Sequence, residues 1–415
     1  MARIGGAPQR GHERLEVVVC SLPTSQPRAD NGCGLLMLRQ GTTLVLLWLV
    51  GAALRLTILV VAPLLPLIHR DLGLNETAVG TLGSLPSLLF ACAAIPGALL
   101  IARVGARQTL VAGLFVTAAG CALRATASDI VVLYLATIVM SAGIAVMQPA
   151  LPPLVRDWMP DRIGFGTAVY SNGLVMAALL GVALSLPVMQ TLAHGSWRFS
   201  LVLWAIPVVV TAILVLLFAP HEAPANPGMQ RWWPDWRDPL VWQLGFLTGS
   251  ANIIYWTANT FLPDYLVELG RAELVSPVLT AFNGGQIPGS LLMLFWAGPM
   301  LRRKGVYAAI GLTVLASLAG VLLGGDSTIL WSAGILGCAN AVALVLSLAL
   351  PAILAAPQDV HRLSAAMFTI SFPCSVVFPI LGGYGWDVTG IPALAFAPVA
   401  LGGVAIMALT ARRQG

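Results

Sequence analysis

Arg55 occupies a position whose electrostatic cost something in the protein must offset. It stands at the middle of the run 42–68, TTLVLLWLVGAALRLTILVVAPLLPLI, which holds no other charge. The run is longer than the ~20 residues that cross a ~30 Å hydrocarbon core at ~1.5 Å per residue. An arginine at that depth costs about 2.5–3.5 kcal/mol on insertion scales, so its guanidinium must face protein or water rather than lipid. Two roles fit. One is an anion-binding group in a translocation pathway; the other is an arginine tied to backbone carbonyls that braces a helix contact.

A set of neutral polar residues shares this depth. Asn252, Tyr255 and Asn259 recur at i, i+3 and i+7, which places them on one side of a helix with Trp256 alongside. Asn283 and Gln286 share a face of a second helix, Asn340 lies near the middle of a third, and Thr369 and Ser371 near the middle of a fourth. Each alone reads as an interhelical hydrogen bond worth ~0.6 kcal/mol. Together they outline a polar cavity. No Asp or Glu lies in the interior of an apolar run; Asp264, Asp359 and Asp387 stand at run ends, and none of the five histidines is deep. A buried carboxylate or histidine relay is therefore not expected, and arginine cannot replace it because it stays protonated. Facilitated diffusion, anion exchange and a proton carried by the solute remain as ways to drive transport.

Composition requires these residues to sit in a membrane protein. Of 415 residues 58% are hydrophobic and only 9% charged, against about 25% charged in a soluble domain. Mean hydropathy is +0.87. The net charge of +5 comes from arginines spread over short loops, with Lys304 the lone lysine, and does not point to nucleic acid. Cys20, Cys33, Cys92, Cys121, Cys338 and Cys374 show no metal-ligand or paired spacing, so neither disulfide nor metal is expected, and no cofactor. No H-E-x-x-H, G-x-S-x-G or Walker-type loop is present, and the chain is not expected to be an enzyme. The Asn75–Thr77 sequon is a three-residue match of low information.

Twelve apolar runs follow one another at 43–68, 77–101, 108–126, 130–154, 164–190, 198–219, 240–265, 275–300, 305–323, 328–350, 361–385 and 392–411. The alternate loops beginning with 101–108 hold ten Lys or Arg, whereas the opposite set holds four: Arg70, Arg124, Arg198 and Arg271. By the positive-inside rule both termini are cytoplasmic, in a multi-pass protein of the inner or plasma membrane. Gln148, Tyr170 and Asn172 fall nearer the cytoplasmic side. Residues 1–41 are polar and lack a signal-peptide pattern, which predicts a disordered tail, or a true start at Met37. The central loop 220–239, with Trp232, Trp233, Trp236 and Trp242 as interfacial anchors, divides the chain into bundles at 42–219 and 240–415. The halves repeat. LLP at 64–66 and LG at 72–73 return as FLP at 261–263 and LG at 269–270, an offset of 197, while GALLIARVG and AGPMLRRKG are offset by 200 and pair Arg103 with Arg303. The 197 offset sets Asn252 against Arg55. Such duplication places the site at the interface of the repeats.

The loop ALLIARVGAR at 98–107 resembles the G-x-L-a-D-R-x-G-R-R signature of the major facilitator superfamily: Arg103, Gly105 and Arg107 match, with Ala102 at the acidic position. The chain from 43 onward is similar to the cyanate and nitroimidazole permease-like branch of that superfamily. Arg55 followed by PLLP, RDLGL at 70–74, the run 151–171, GSWRFSLVLWA and NTFLPDYL carry the likeness. The flanks of Arg55 and the pair Phe372–Pro373 depart from that branch's pattern. The resemblance implies an all-α membrane protein of twelve transmembrane helices in two pseudo-symmetric six-helix bundles, working by alternating access. It also implies an inward-side gate at Arg103, Gly105, Arg107 and Arg303. The expected function is transport of a small anionic or polar solute, cyanate-like or a small organic anion, by a monomer. Its site would comprise Arg55, Asn252, Tyr255, Trp256, Asn259, Asn283, Gln286 and Asn340. An exporter of drug-like or nitroimidazole-like compounds is the alternative within transport; a transport-dead sensor on the same fold is the alternative from another class.

Overall fold

The computed structural model describes residues 30–73, 76–220, 232–301 and 303–411. Most of the expected tail, Asn75 of the sequon and most of the central loop lie outside these. Two units separate, 1–40 and 41–415. In the first, the described residues are helical from Asp30, so helix begins inside the segment whose polar composition suggests a tail.

The second unit is a bundle of long helices with no strand among the described residues. The first bundle comprises α1 (Asp30–Leu59) from residue 41 onward, α2 (Val61–Leu72), α3 (Glu76–Val104), α4 (Ala106–Leu123), α5 (Ile130–Met147), α6 (Leu151–Trp158), α7 (Ile163–Leu184) and α8 (Trp197–Phe218). The second comprises α9 (Pro239–Glu268), α10 (Val275–Leu301), α11 (Lys304–Leu323), α12 (Asp326–Leu354), α13 (Val360–Thr389) and α14 (Ala397–Ala411). Eleven stretches among the described residues are long and apolar enough to cross a membrane. The twelfth span is α9, whose Gln243, Asn252, Asn259 and Asp264 make it more polar than the others. That excess of amides falls on the helix expected to carry the site.

Local sequence explains the breaks. The first run is not one helix: α1 stops at Leu59 and α2 restarts at Val61. Pro63 lacks an N–H, and its ring would clash with the carbonyl four residues back, which is that of Leu59. A 3₁₀ turn at Gln148–Ala150 joins α5 to α6 where Pro149 intervenes. Asp129 accepts from the Val131 and Val132 amides to start α5, and Asp238 accepts from Leu240 ahead of Pro239 to start α9. Gly390, at φ +69°, ends α13.

The two bundles repeat their packing. α5 rests on α3 and α4, and α4 on α8; in the second bundle α12 rests on α10 and α11, and α11 on α14. α3 meets α13 and α7 meets α10 across the two bundles, a symmetric pair of contacts. Large side chains such as Leu217, Leu323 and Trp331 stay exposed, as a bundle surrounded by hydrocarbon permits. With lipid outside, burial of apolar area does not hold the helices together, so close approach must. α1 and α7 show it twice. A Cβ on Gly51 would lie 1.9 Å from the Tyr170 carbonyl oxygen, and one on Gly173 2.1 Å from that of Trp48. Trp48 Nε1 donates to Asn172 Oδ1 at 3.0 Å beside this crossing.

At one end of the first bundle, Asp71 accepts from Arg198 Nη1 and from Trp197 Nε1 at 3.1 Å, while Arg198 Nη2 donates to the Ala127 carbonyl at 2.9 Å. These bonds, the Arg198 contact first, hold the Asp71 carboxyl below the ordinary 3.8. A folded value below the unfolded one means that the tie stabilises above that range and is lost as pH falls through the depressed value.

Two predictions follow from this packing. Gly51→Val forces α1 off α7 and should abolish the monodisperse folded protein on size exclusion, whereas Gly284→Ala, with open space at its Cβ, should elute and melt like the parent. An unaffected Gly51→Val protein would refute the close crossing. Asp71→Asn should melt below the parent at about pH 6, with the gap narrowing as pH falls below the ordinary carboxyl value. A gap that stays constant over that range would show that Asp71 does not titrate with the tie.

Candidate functional site

A cavity, partly open to solvent, lies between the two bundles. The first bundle contributes Leu54, Arg55 and Ile58 from α1, Ser87 and Phe90 from α3, and Gln148, Leu151, Tyr170 and Leu174 from α5 to α7. The second contributes Thr248, Asn252 and Trp256 from α9, with Leu344 and Leu348 from α12 and Phe368 and Phe372 from α13. Thr248, Asn252 and Trp256 are spaced four apart, so one helical stripe faces the cavity.

Arg55 is the one charged residue in this wall; no Asp, Glu or His lines it among the described residues. Its guanidinium carbon lies 5.4 Å from the centre of the Tyr255 ring. That contact stabilises a cation by about 0.5–2 kcal/mol and leaves the N–H donors in the guanidinium plane for another partner. The duplicated position sits beside it: Asn252 borders the same cavity, its Nδ2 3.4 Å from the Ser371 carbonyl oxygen. Trp256 packs edge-on against Tyr255, ring centroids 5.5 Å apart.

Other expected site residues lie elsewhere. Asn259, Asn283 and Gln286 do not line the cavity. Gln286 Nε2 donates to Asn283 Oδ1 at 3.2 Å, Asn283 Nδ2 to Asn259 Oδ1 at 2.9 Å, and Asn259 Nδ2 to the Tyr255 carbonyl at 2.8 Å. This amide chain ties α10 to α9 and holds the turn that carries Tyr255. Seven residues, or ~10 Å of rise, separate Asn259 from Asn252, enough to bring it opposite α10 instead of the cavity. Asn340 is buried one turn before Leu344 on α12, and Leu344 and Leu348 supply that helix's wall. Ser87 and Thr248 are cavity polar groups that periodicity did not single out, because one hydroxyl in an apolar helix ordinarily bonds the carbonyl a turn back.

The loop arginines also separate in role. Gly105 takes φ +91° between α3 and α4, which a side chain would resist. Arg107 Nη2 donates to the Leu216 carbonyl at 2.6 Å, at the end of α8 in its own bundle, and Arg103 and Arg303 are exposed. The guanidinium that reaches across bundles is that of Arg156. Its Nη1 donates to the carbonyls of Ala352, at 3.1 Å, and Ala355, at 2.6 Å, at the C-terminal end of α12. There it meets unpaired carbonyls and the negative end of the helix dipole. Beside it a Cβ on Gly164 of α7 would come within 2.8 Å of Leu301 and 3.1 Å of the Gly298 nitrogen on α10. Arg124, expected in a polar loop, is 3% exposed: Nε donates to Thr137 Oγ1 at 3.0 Å and Nη1 to the Thr57 carbonyl at 2.9 Å. Arg124 is thus a buried guanidinium although it stands near the end of an apolar run. The bracing role considered for Arg55 is filled by Arg124.

Residues 47–379 match the Major Facilitator Superfamily. The chain belongs to that superfamily. Its transporters include three similar to it. The Bacillus subtilis (strain 168) uncharacterized transporter YycB is 25% identical over 341 residues, 81% of this chain and 84% of the relative. The Escherichia coli (strain K12) cyanate transport protein CynX is 26% identical over 378 residues, 89% and 96% of the two chains. The 2-nitroimidazole transporter of the same strain is 27% identical over 289 residues, 68% and 72%. The structure of the superfamily transporter FucP in its outward conformation superposes with a TM-score of 0.69 at 16% identity, covering 90% of this chain and 98% of the other. The chain is a multi-pass membrane transporter of this superfamily.

Removal of the Arg156 side chain should loosen the inter-bundle contact. Hydrogen bonds to a charged group contribute about 1.5–3 kcal/mol, so Arg156→Ala should raise the open population at that end roughly tenfold or more. The readout is maleimide labelling of a Leu301→Cys reporter beside Gly164, with and without Arg156→Ala. Equal labelling rates would show that the bonds do not hold the bundles together.

Proposed function

We propose that the protein moves a small anionic or strongly polar solute across the membrane by alternating access, with Arg55 as charge partner. One observation carries this: a single guanidinium, with no carboxylate facing it, borders a cavity walled by both bundles. An anion in the cavity accepts bidentate hydrogen bonds from Arg55 and offsets the penalty of an unpaired charge in a low-dielectric site. Asn252 and Thr248 supply hydrogen bonds and Trp256 an apolar wall. The bundles 42–219 and 240–415, linked by 220–239, rock about this site, and Arg156 gates one end. The basic loops support cytoplasmic termini in an inner or plasma membrane, and the protein works as a monomer. With no carboxylate or histidine on the wall, the drive is exchange, facilitated diffusion or a proton carried by the solute itself. The names of the cyanate and 2-nitroimidazole relatives support a small solute with a delocalised polar group.

The second reading is an exporter of nitroimidazole-like compounds, favoured by the aromatic side chains on the wall. It differs in one measurable respect: neutral aromatics would compete and Arg55 would matter little. In proteoliposomes tested with a panel of small anions, Arg55→Ala should lower uptake at sub-saturating solute about tenfold or more. Arg55→Lys should recover only part, since a point charge lacks the planar fork. Wild-type transport by Arg55→Ala would eliminate the anion site.

A further inference from the structure

The wall of the cavity restricts what kind of anion it holds. Phe90 on α3 lies 4.9 Å from Phe372 on α13, centroid to centroid at 55°, and Phe372 lies 5.8 Å from Phe368 at 22°. All three rings border the cavity that Arg55 borders. Trp256 and Tyr170 add two more rings, and aliphatic side chains of α1, α6, α7 and α12 complete the lining. The polar complement is small: Ser87, Gln148, Tyr170, Thr248 and Asn252 beside the guanidinium.

A three-atom inorganic anion would engage Arg55 but leave the rings of the wall without a partner. A sugar would set its hydroxyls against phenylalanine and leucine, where each unpaired group is penalised. A ligand with one anionic end and a flat unsaturated body satisfies both parts of the wall. Rings pack on rings at centroid separations of about 4.5–7 Å, the spacing the phenylalanines already adopt among themselves.

We propose that the solute is an aromatic monocarboxylate, its carboxylate on Arg55 and its ring against the Phe90–Phe372–Phe368 cluster. This rests on the anion-site reading of Arg55 and narrows it to one chemical class. Because Phe90 belongs to one bundle and Phe372 to the other, a ring seated there touches both. The solute therefore senses the relative position of the bundles as well as the charge.

The test is calorimetric titration of the purified full-length protein with four probes: benzoate, cyclohexanecarboxylate, benzamide and cyanate. Benzoate should bind tightest. Cyclohexanecarboxylate, equal in charge but saturated, should bind about three- to tenfold weaker, and benzamide, flat but neutral, at least tenfold weaker. Phe372→Leu should weaken benzoate about three- to tenfold and cyclohexanecarboxylate less than twofold. The ratio between these two acids in the parent protein needs no variant, and Phe90→Leu replaces Phe372→Leu should that protein not fold. Cyanate binding as tightly as benzoate, or equal affinity for the two carboxylates, overturns the aromatic class while leaving Arg55 as an anion site, provided Arg55→Gln weakens both. Binding of benzamide as tight as benzoate, unchanged in Arg55→Gln, overturns the anion site itself. No binding of benzoate overturns the proposal.

Discussion

In hydrocarbon no water competes for polar groups, and every part of this structure follows from that constraint. Backbone amides and carbonyls must pair within helices, so the described residues of 41–415 are helix and short turns. Helices surrounded by lipid gain little from hiding apolar faces, so glycines admit the backbone contacts that hold α1 to α7. Charges cannot be left to solvent either, and each deep one needs a protein partner or a ligand.

The arginines show how the protein meets that demand. Arg107, Arg124 and Arg156 each find backbone carbonyls: the end of α8, Thr57 on α1, and the end of α12. These bonds build the bundle, brace it and join its halves. Arg55 instead rests on the Tyr255 ring and turns toward a cavity. A ring satisfies the positive charge only in part and accepts none of the guanidinium's in-plane hydrogen bonds. The amide chain from Gln286 through Asn283 to Asn259 serves this arrangement from behind by fixing the turn of α9 that presents Tyr255. These three amides thus pair with one another and with the α9 backbone and do not line the cavity.

The candidate site was readable in the sequence only where a rule tied residue type to depth. Arg55 stood out because a lone charge in an apolar run is costly, and Asn252 because the repeat offset carries Arg55 onto it; both border the cavity. Asn259, Asn283 and Gln286 shared a helical face by periodicity, but a face includes neighbours above and below, and theirs is α10. Phe90, Phe368 and Phe372 carry no signal, since phenylalanine in an apolar helix faces lipid, core or cavity with equal ease. Arg156 was one basic loop residue among ten.

The sequence by itself determined the membrane class, the twelve spans, the duplication and the deep arginine, because hydropathy, charge and repeat are sums along the chain. Only the tertiary structure decided which arginine is braced and which is open. It also decided which amides pair with each other, and that rings from two bundles share the wall with Arg55. Those outcomes depend on side chains of different helices meeting at one point, as Arg55 and Tyr255 do. No local rule specifies such a meeting; the packing of the two bundles does.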